Sequence, residues 1–159
     1  MESAGFNLPP IVVDTILALS YIVVSLLSAR EDPTGNRRDT DAFGFVPIVV
    51  INLPLVLRRR APIPVLPVML TLQVWYIALG YWPVVNSLGA LMATHTVAAH
   101  RPIRVLAWCV PAVGATWLYA GLAADGGSMS TVVAQVLVIP PGVCRFGFAA
   151  RRLSERNAQ

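Results

Sequence analysis

The sequence predicts an all-α, polytopic integral membrane bundle of six transmembrane helices, with both termini cytoplasmic and the cell (plasma) membrane as its location. Three observations carry that expectation. The chain of 159 residues is 56% hydrophobic and only 13% charged, with a mean hydropathy of +0.66, whereas a soluble domain carries about 25% charged residues. Its apolar residues gather into six runs. Its cationic residues stand at the ends of those runs. Lipid must solvate part of so much apolar surface, and the length allows one compact domain without a large soluble enzyme.

A spanning helix needs about 20 mainly apolar residues. The first run, 10–29, opens on Pro9 and Pro10, which suit a helix start because the first turn has no use for their missing N–H. No positive segment precedes it, so it is expected to stay as a spanning helix and not to be removed as a leader. The stretch Arg30 to Asp41 reads as a polar loop through its Asp-Pro and Gly-Asn pairs. The second run, 43–57, is short, contains Pro47 and Pro54, and stops at Arg58, Arg59 and Arg60. Were it not to cross, five spans would remain and the map beyond it would invert. A third run, 64–81, follows a proline cluster and ends before a break at Trp82-Pro83. The fourth, 84–99, closes at His100-Arg101-Pro102. The fifth covers 103–124 and ends in Asp125-Gly126-Gly127, and the sixth covers 129–148. Residues 1–148 thus form the membrane domain, and 149–159 a cytoplasmic stem.

Arginine placement sets the orientation. All 12 cationic side chains are Arg, a bias typical of GC-rich bacterial coding. With both termini inside, Arg58, Arg59, Arg60, Arg101, Arg104, Arg145, Arg151, Arg152 and Arg156 lie on the inner side, and only Arg30, Arg37 and Arg38 on the outer. That follows the positive-inside tendency. The net charge of +4 is therefore read as topology, with membrane lipid as partner and no nucleic acid. Tyr81, Trp82, Trp117 and Tyr119 are expected near the outer interface and Trp108 near the inner one.

Polar groups inside the spans ask for partners. Asp14 and Arg145 lie at similar depth near the inner boundary, which suggests an ion pair tying the first helix to the last. The alternative has each reaching headgroups separately. Asn52, Gln73, Asn86, Thr94, Thr96 and Gln135 read as interhelical hydrogen-bonding groups. Pro111 and the pair Pro140-Pro141 are expected kink sites. His95, His100, Cys109 and Cys144 lie at one depth, but two histidines five apart on a helix point about 140° from each other. No Cys-x-x-Cys spacing occurs, so no metal, cofactor or catalytic residue is assigned. The cysteines read as small buried hydrophobes. No phosphate-binding loop or nucleophile elbow is present.

Residues 53–66, Leu-Pro-Leu-Val-Leu-Arg-Arg-Arg-Ala-Pro-Ile-Pro-Val-Leu, resemble the membrane region of actinobacterial two-component sensor histidine kinases. So do Ala78-Leu79-Gly80-Tyr81-Trp82-Pro83 and Thr94-His95-Thr96-Val97-Ala98-Ala99-His100-Arg101-Pro102. The motifs cover about a third of the chain. The resemblance implies a sensing, or input, module, a symmetric homodimer, and coupling through the last helix to a cytoplasmic kinase domain and response-regulator pathway. Pro140 and Pro141 would serve as the relay kink. Phe146 and Leu153, with Ala149 or Ala150, recur at heptad-like spacing as the stem. Only 11 residues follow Phe148, too few for the family's phosphoacceptor helix and ATP-binding domain. The chain is then an excised fragment or a stand-alone relative, and by itself cannot phosphorylate anything. The competing reading is a small transporter or the membrane subunit of a larger complex, which calls for a polar cavity near the midplane.

Overall fold

The computed structural model describes residues 9–29, 42–124 and 128–157. Helix α1 runs Pro10–Ser28, α2 Ala42–Asn52, α3 Pro62–Ala78, α4 Ser87–His100, α5 Ile103–Ala123 and α6 Met129–Asn157. A 3₁₀ segment, Leu53–Leu57, extends α2, and no strand occurs among the described residues. The polar loop expected at Arg30 to Asp41 lies outside them, as do Asp125, Gly126 and Gly127.

Prolines set several of these boundaries. Pro10 and Pro62 occupy the first turns of α1 and α3, and Pro102 caps α5. Pro54 cannot donate the α-helical bond back to residue 50, and its ring crowds that carbonyl. The chain tightens into the 3₁₀ segment at that point. In α6 the backbone stays helical through Pro140 and Pro141 and on into the stem, so the sixth run and residues 149–157 form one helix.

Three helices, α1, α5 and α6, are long and apolar enough to cross a membrane, while Phe43–Leu57 and Pro62–Ala78 are shorter apolar helices. The sidedness of α1 is inverted relative to a soluble helix. Its buried residues are Asp14, Ala18, Ile22 and Ser25, and its outward face carries Ile16, Leu19, Val23 and Leu27. Water would penalise such a face. Hydrocarbon does not, and small or polar residues then do the interhelical packing.

Helix α4 is the hub. It packs on α1, α3, α5 and α6, and its buried residues are Gly89, Ala90, Ala93, Thr94, Thr96, Val97 and Ala98. These small side chains allow close approach of its neighbours. At 14 residues it is about 21 Å long, against about 31 Å for the 21 residues of α5. It begins three residues later than its hydropathy suggests, because the chain from 80 to 86 is not helical. Gly80 ends α3 at φ +88°, a conformation costly for any residue with a Cβ. Tyr81 then turns inward and stacks on Tyr76 with ring centroids 4.9 Å apart. Tyr81 is therefore buried within the bundle. Trp108 is 82% exposed and Tyr119 39% exposed.

Non-helical backbone beside short α4 must have its polar groups satisfied. Ser25 Oγ donates to the Val85 carbonyl at 2.9 Å, and Gln73 Nε2 to the Pro83 carbonyl at 3.4 Å. Asn52 Nδ2 donates to Ile48 O at 2.9 Å and to Asn86 Oδ1 at 3.0 Å. Three of the six expected interhelical groups thus tie α2 and α3 to the turn before α4. Thr94 and Thr96 instead bond the carbonyls of Ala90 and Met92 on their own helix. Gly89 lies against this cluster, where an added Cβ would sit 2.5 Å from Asn52 Oδ1 and 3.0 Å from Met69 Cε. Since Asn52 is pinned through its amide nitrogen, Gly89→Ala is expected to destabilise the bundle by about 1–3 kcal/mol, read as a lower melting midpoint in detergent.

Candidate functional site

One end of the bundle gathers the start of α1, the end of the 3₁₀ segment, the end of α4 and the last turns of α6. Asp14, 3% exposed at its side chain, is held there by two guanidinium groups. Arg58, 5% exposed, donates from Nη2 at 2.7 Å and from Nε at 3.0 Å to Asp14 Oδ1. Arg59 Nε donates to the same carboxylate at 3.0 Å, with its side chain 45% exposed. A buried carboxylate is tolerated only with such charge-assisted bonds.

These partners correct the pairing of Asp14 with Arg145 inferred from depth. Helix α1 packs on α2, the 3₁₀ segment and α4, whereas α6 packs on α4 and α5. Arg145 lies in a surface groove with Ile103, Leu106, Pro111 and Phe148, on the α5 side of the bundle. The triple arginine run also divides. Arg58 turns inward, while Arg59 and Arg60 remain exposed. Arg101 has its Nε buried without a hydrogen-bond partner among the described residues, and Arg104, Arg151 and Arg152 stand at the surface of the same end.

A cavity of about 380 Å³ opens beside the Asp14 cluster, walled by Arg58, Arg59, His95, His100, Arg151 and Glu155 among others. His100 Nδ1 lies 2.9 Å from the Thr96 carbonyl. Arg151 Nε donates to Glu155 Oε1 at 2.8 Å, one turn along the stem. Among the described residues no three His, Cys, Asp or Glu side chains gather as metal ligands, and Cys109 and Cys144 are free thiols.

The opposite end holds a larger cavity of about 530 Å³, where α4 stops short. Its walls are Val24 and Ser28 of α1, Pro83, Val84 and Val85 of the turn, Ser87, Leu88 and Leu91 of α4, Trp117, Ala120 and Gly121 of α5 with Ala124 just beyond it, and Thr131, Val132, Gln135 and Ile139 of α6. The lining is mainly apolar with scattered hydroxyl and amide groups, the composition of a small-molecule site. The indole N–H of Trp117 is buried without an acceptor among the described residues. Gln135, expected to bridge helices, lines this cavity and is exposed.

Helix α6 borders both cavities, through Thr131 to Ile139 at one end and Ala150 to Glu155 at the other. Between them Pro140 is buried and Pro141 exposed, and Gly147 presses on Ala98 and on the His95 carbonyl of α4. Phe146 and Leu153 are 74% and 59% exposed and share a face with exposed Ala149. The far cavity was not legible from motifs, because it arises from the length of a helix and not from any residue pattern.

An all-helical protein with three helices long and apolar enough to cross a bilayer, and cavities at both ends, is the class this architecture defines. Within it, the chain belongs to the family described as domain of unknown function DUF7134, whose profile matches residues 6–149. No curated protein and no solved structure matches the chain.

Proposed function

We propose that the chain is the membrane input module of a two-component sensor histidine kinase, multi-pass in the cell membrane with six crossings and both ends cytoplasmic. The far cavity faces outward and receives the stimulus. The arginine-rich end faces the cytoplasm, as positive charge near span ends favours. Helices α2, α3 and α4 are short for hydrocarbon about 30 Å thick, and local thinning with arginine snorkelling accommodates them. The observation that carries the reading is α6, one unbroken helix that walls the outer cavity and continues past the inner one. A ligand that binds one packing of α6 better than another shifts the population of the two, and nothing more is required. The exposed Phe146, Ala149 and Leu153 face supplies the contact for a second copy, as in a dimeric stem.

The test uses membranes carrying the complete reading frame that contains these residues. Phosphate from ATP is expected on a histidine beyond residue 159. Thr131→Trp, which fills the outer cavity, is expected to change that phosphorylation severalfold with the Arg58–Arg60 turn still on the cytoplasmic side. A reading frame without a kinase domain, and no kinase co-purifying with its product, would return the chain to the transporter or membrane-subunit reading.

A further inference from the structure

We propose that the cavity at the arginine-rich end binds the phosphate group of an anionic phospholipid. The argument starts from charge. Asp14 is one carboxylate set between two guanidinium groups, Arg58 and Arg59, so among the described residues the cluster keeps one uncompensated positive charge. Across the cavity Arg151 is neutralised by Glu155 and contributes nothing to that balance. The surplus charge sits on the Arg59 side of the cluster, half-exposed and facing the cavity, where a counter-anion can reach it.

The geometry fits a phosphate. Arg59 spends only Nε on Asp14, and its two Nη nitrogens make no hydrogen bond among the described residues. That leaves a planar pair of donors matched to two phosphate oxygens. Ser154 of α6 also lines the cavity and carries a hydroxyl that can serve as a neutral donor. The volume of about 380 Å³ accommodates a phosphodiester with its glycerol.

A lipid is favoured over a free anion by the apolar surface of the segment that leads into Arg58. Leu53 and Leu57, on the segment leading into Arg58, are 57% and 49% exposed, and their apolar surface offers a path for acyl chains. Basic pockets between helices at the membrane boundary are a recurrent way to hold anionic headgroups. The site needs the bundle to lie in a bilayer but does not need the chain to signal.

The experiment is native mass spectrometry of the delipidated full chain in mild detergent, titrated with dioleoylphosphatidylglycerol. Dioleoylphosphatidylcholine and inorganic phosphate serve as comparators. The wild type is expected to retain phosphatidylglycerol in preference to phosphatidylcholine, with millimolar inorganic phosphate failing to displace it. Arg59→Ala, at a half-exposed position, is expected to weaken retention by about fivefold, with part of it restored by Arg59→Lys. Arg156→Ala, on the same stem but outside the cavity, should leave retention unchanged. Equal retention of the two lipids overturns the proposal, as does an Arg59→Ala protein that binds like wild type or an Arg156→Ala protein that loses as much. Displacement by inorganic phosphate would make the cavity a site for free anions and not for lipid. Circular dichroism of each variant reports whether its helices are intact.

Discussion

Arg58→Ala is expected to be the most damaging single charge removal in the chain, at about 3–5 kcal/mol. Asp14 and Arg58 are both buried, and Arg58 supplies two of the three hydrogen bonds on the carboxylate. Removing it leaves Asp14 with a single half-exposed partner. Arg59→Ala should cost no more than about 1 kcal/mol, since that guanidinium is 45% exposed and screened. Replacing Asp14 and Arg58 together by apolar residues should recover most of the loss, because a buried pair often roughly breaks even against a well-packed apolar substitute. Unfolding in mixed micelles by rising dodecyl sulfate gives the free energies, and the double-mutant cycle gives the coupling. If Arg145→Ala proves as costly as Arg58→Ala, the partner of Asp14 has been misassigned.

The second large effect is expected at Gly147. A Cβ there would lie 2.6 Å from Ala98 Cβ and 2.8 Å from the His95 carbonyl oxygen. Neither atom can swing aside, since both belong to the α4 backbone or are fixed directly to it. Gly147→Ala must therefore move α6 off α4, at about 2–3 kcal/mol, and Gly147→Leu should prevent the native packing. Gly142 is the control on the same helix. Nothing lies within 4 Å of its would-be Cβ, so Gly142→Ala should be neutral or should stabilise by up to about 1 kcal/mol. Melting midpoints in detergent separate the two. Equal effects at Gly142 and Gly147 would mean that α6 is not pinned by this crossing.

Where punctuation is strong, the helices are legible in the sequence. The first, fifth and sixth apolar runs begin at residues 10, 103 and 129, and so do α1, α5 and α6. Proline marks the first two of those starts, and the Gly126-Gly127 pair precedes the third in the sequence. The start of α4 is not legible, because hydropathy registers Val84 and Val85 as apolar without registering that their backbone turns. Beyond the sixth run α6 continues to Asn157, and the heptad-like spacing of Phe146, Ala149 and Leu153, with Arg151 and Arg152 on the polar side, is the sequence signal of that helical continuation.

The partner of Asp14 shows a different limit. Depth alone cannot choose between Arg58 and Arg145, since both lie near the same boundary. Chain neighbours usually lie side by side, so the first two helices are the better prior pair, and that signal favours Arg58. Reading three consecutive arginines as a uniform headgroup anchor hid it. The 3₁₀ turn that Pro54 brings about ends at Leu57, immediately before Arg58.

At 29 residues, α6 measures about 44 Å, while the oily layer is about 30 Å deep. In the proposed crossing, some nine residues project from the bilayer as a stiff shaft. Such a shaft does not stretch. Under the proposed input role, a shift at its far end would arrive at Asn157 as a tilt, a turn or a piston stroke, and each added or deleted residue would rotate anything joined there by about 100°.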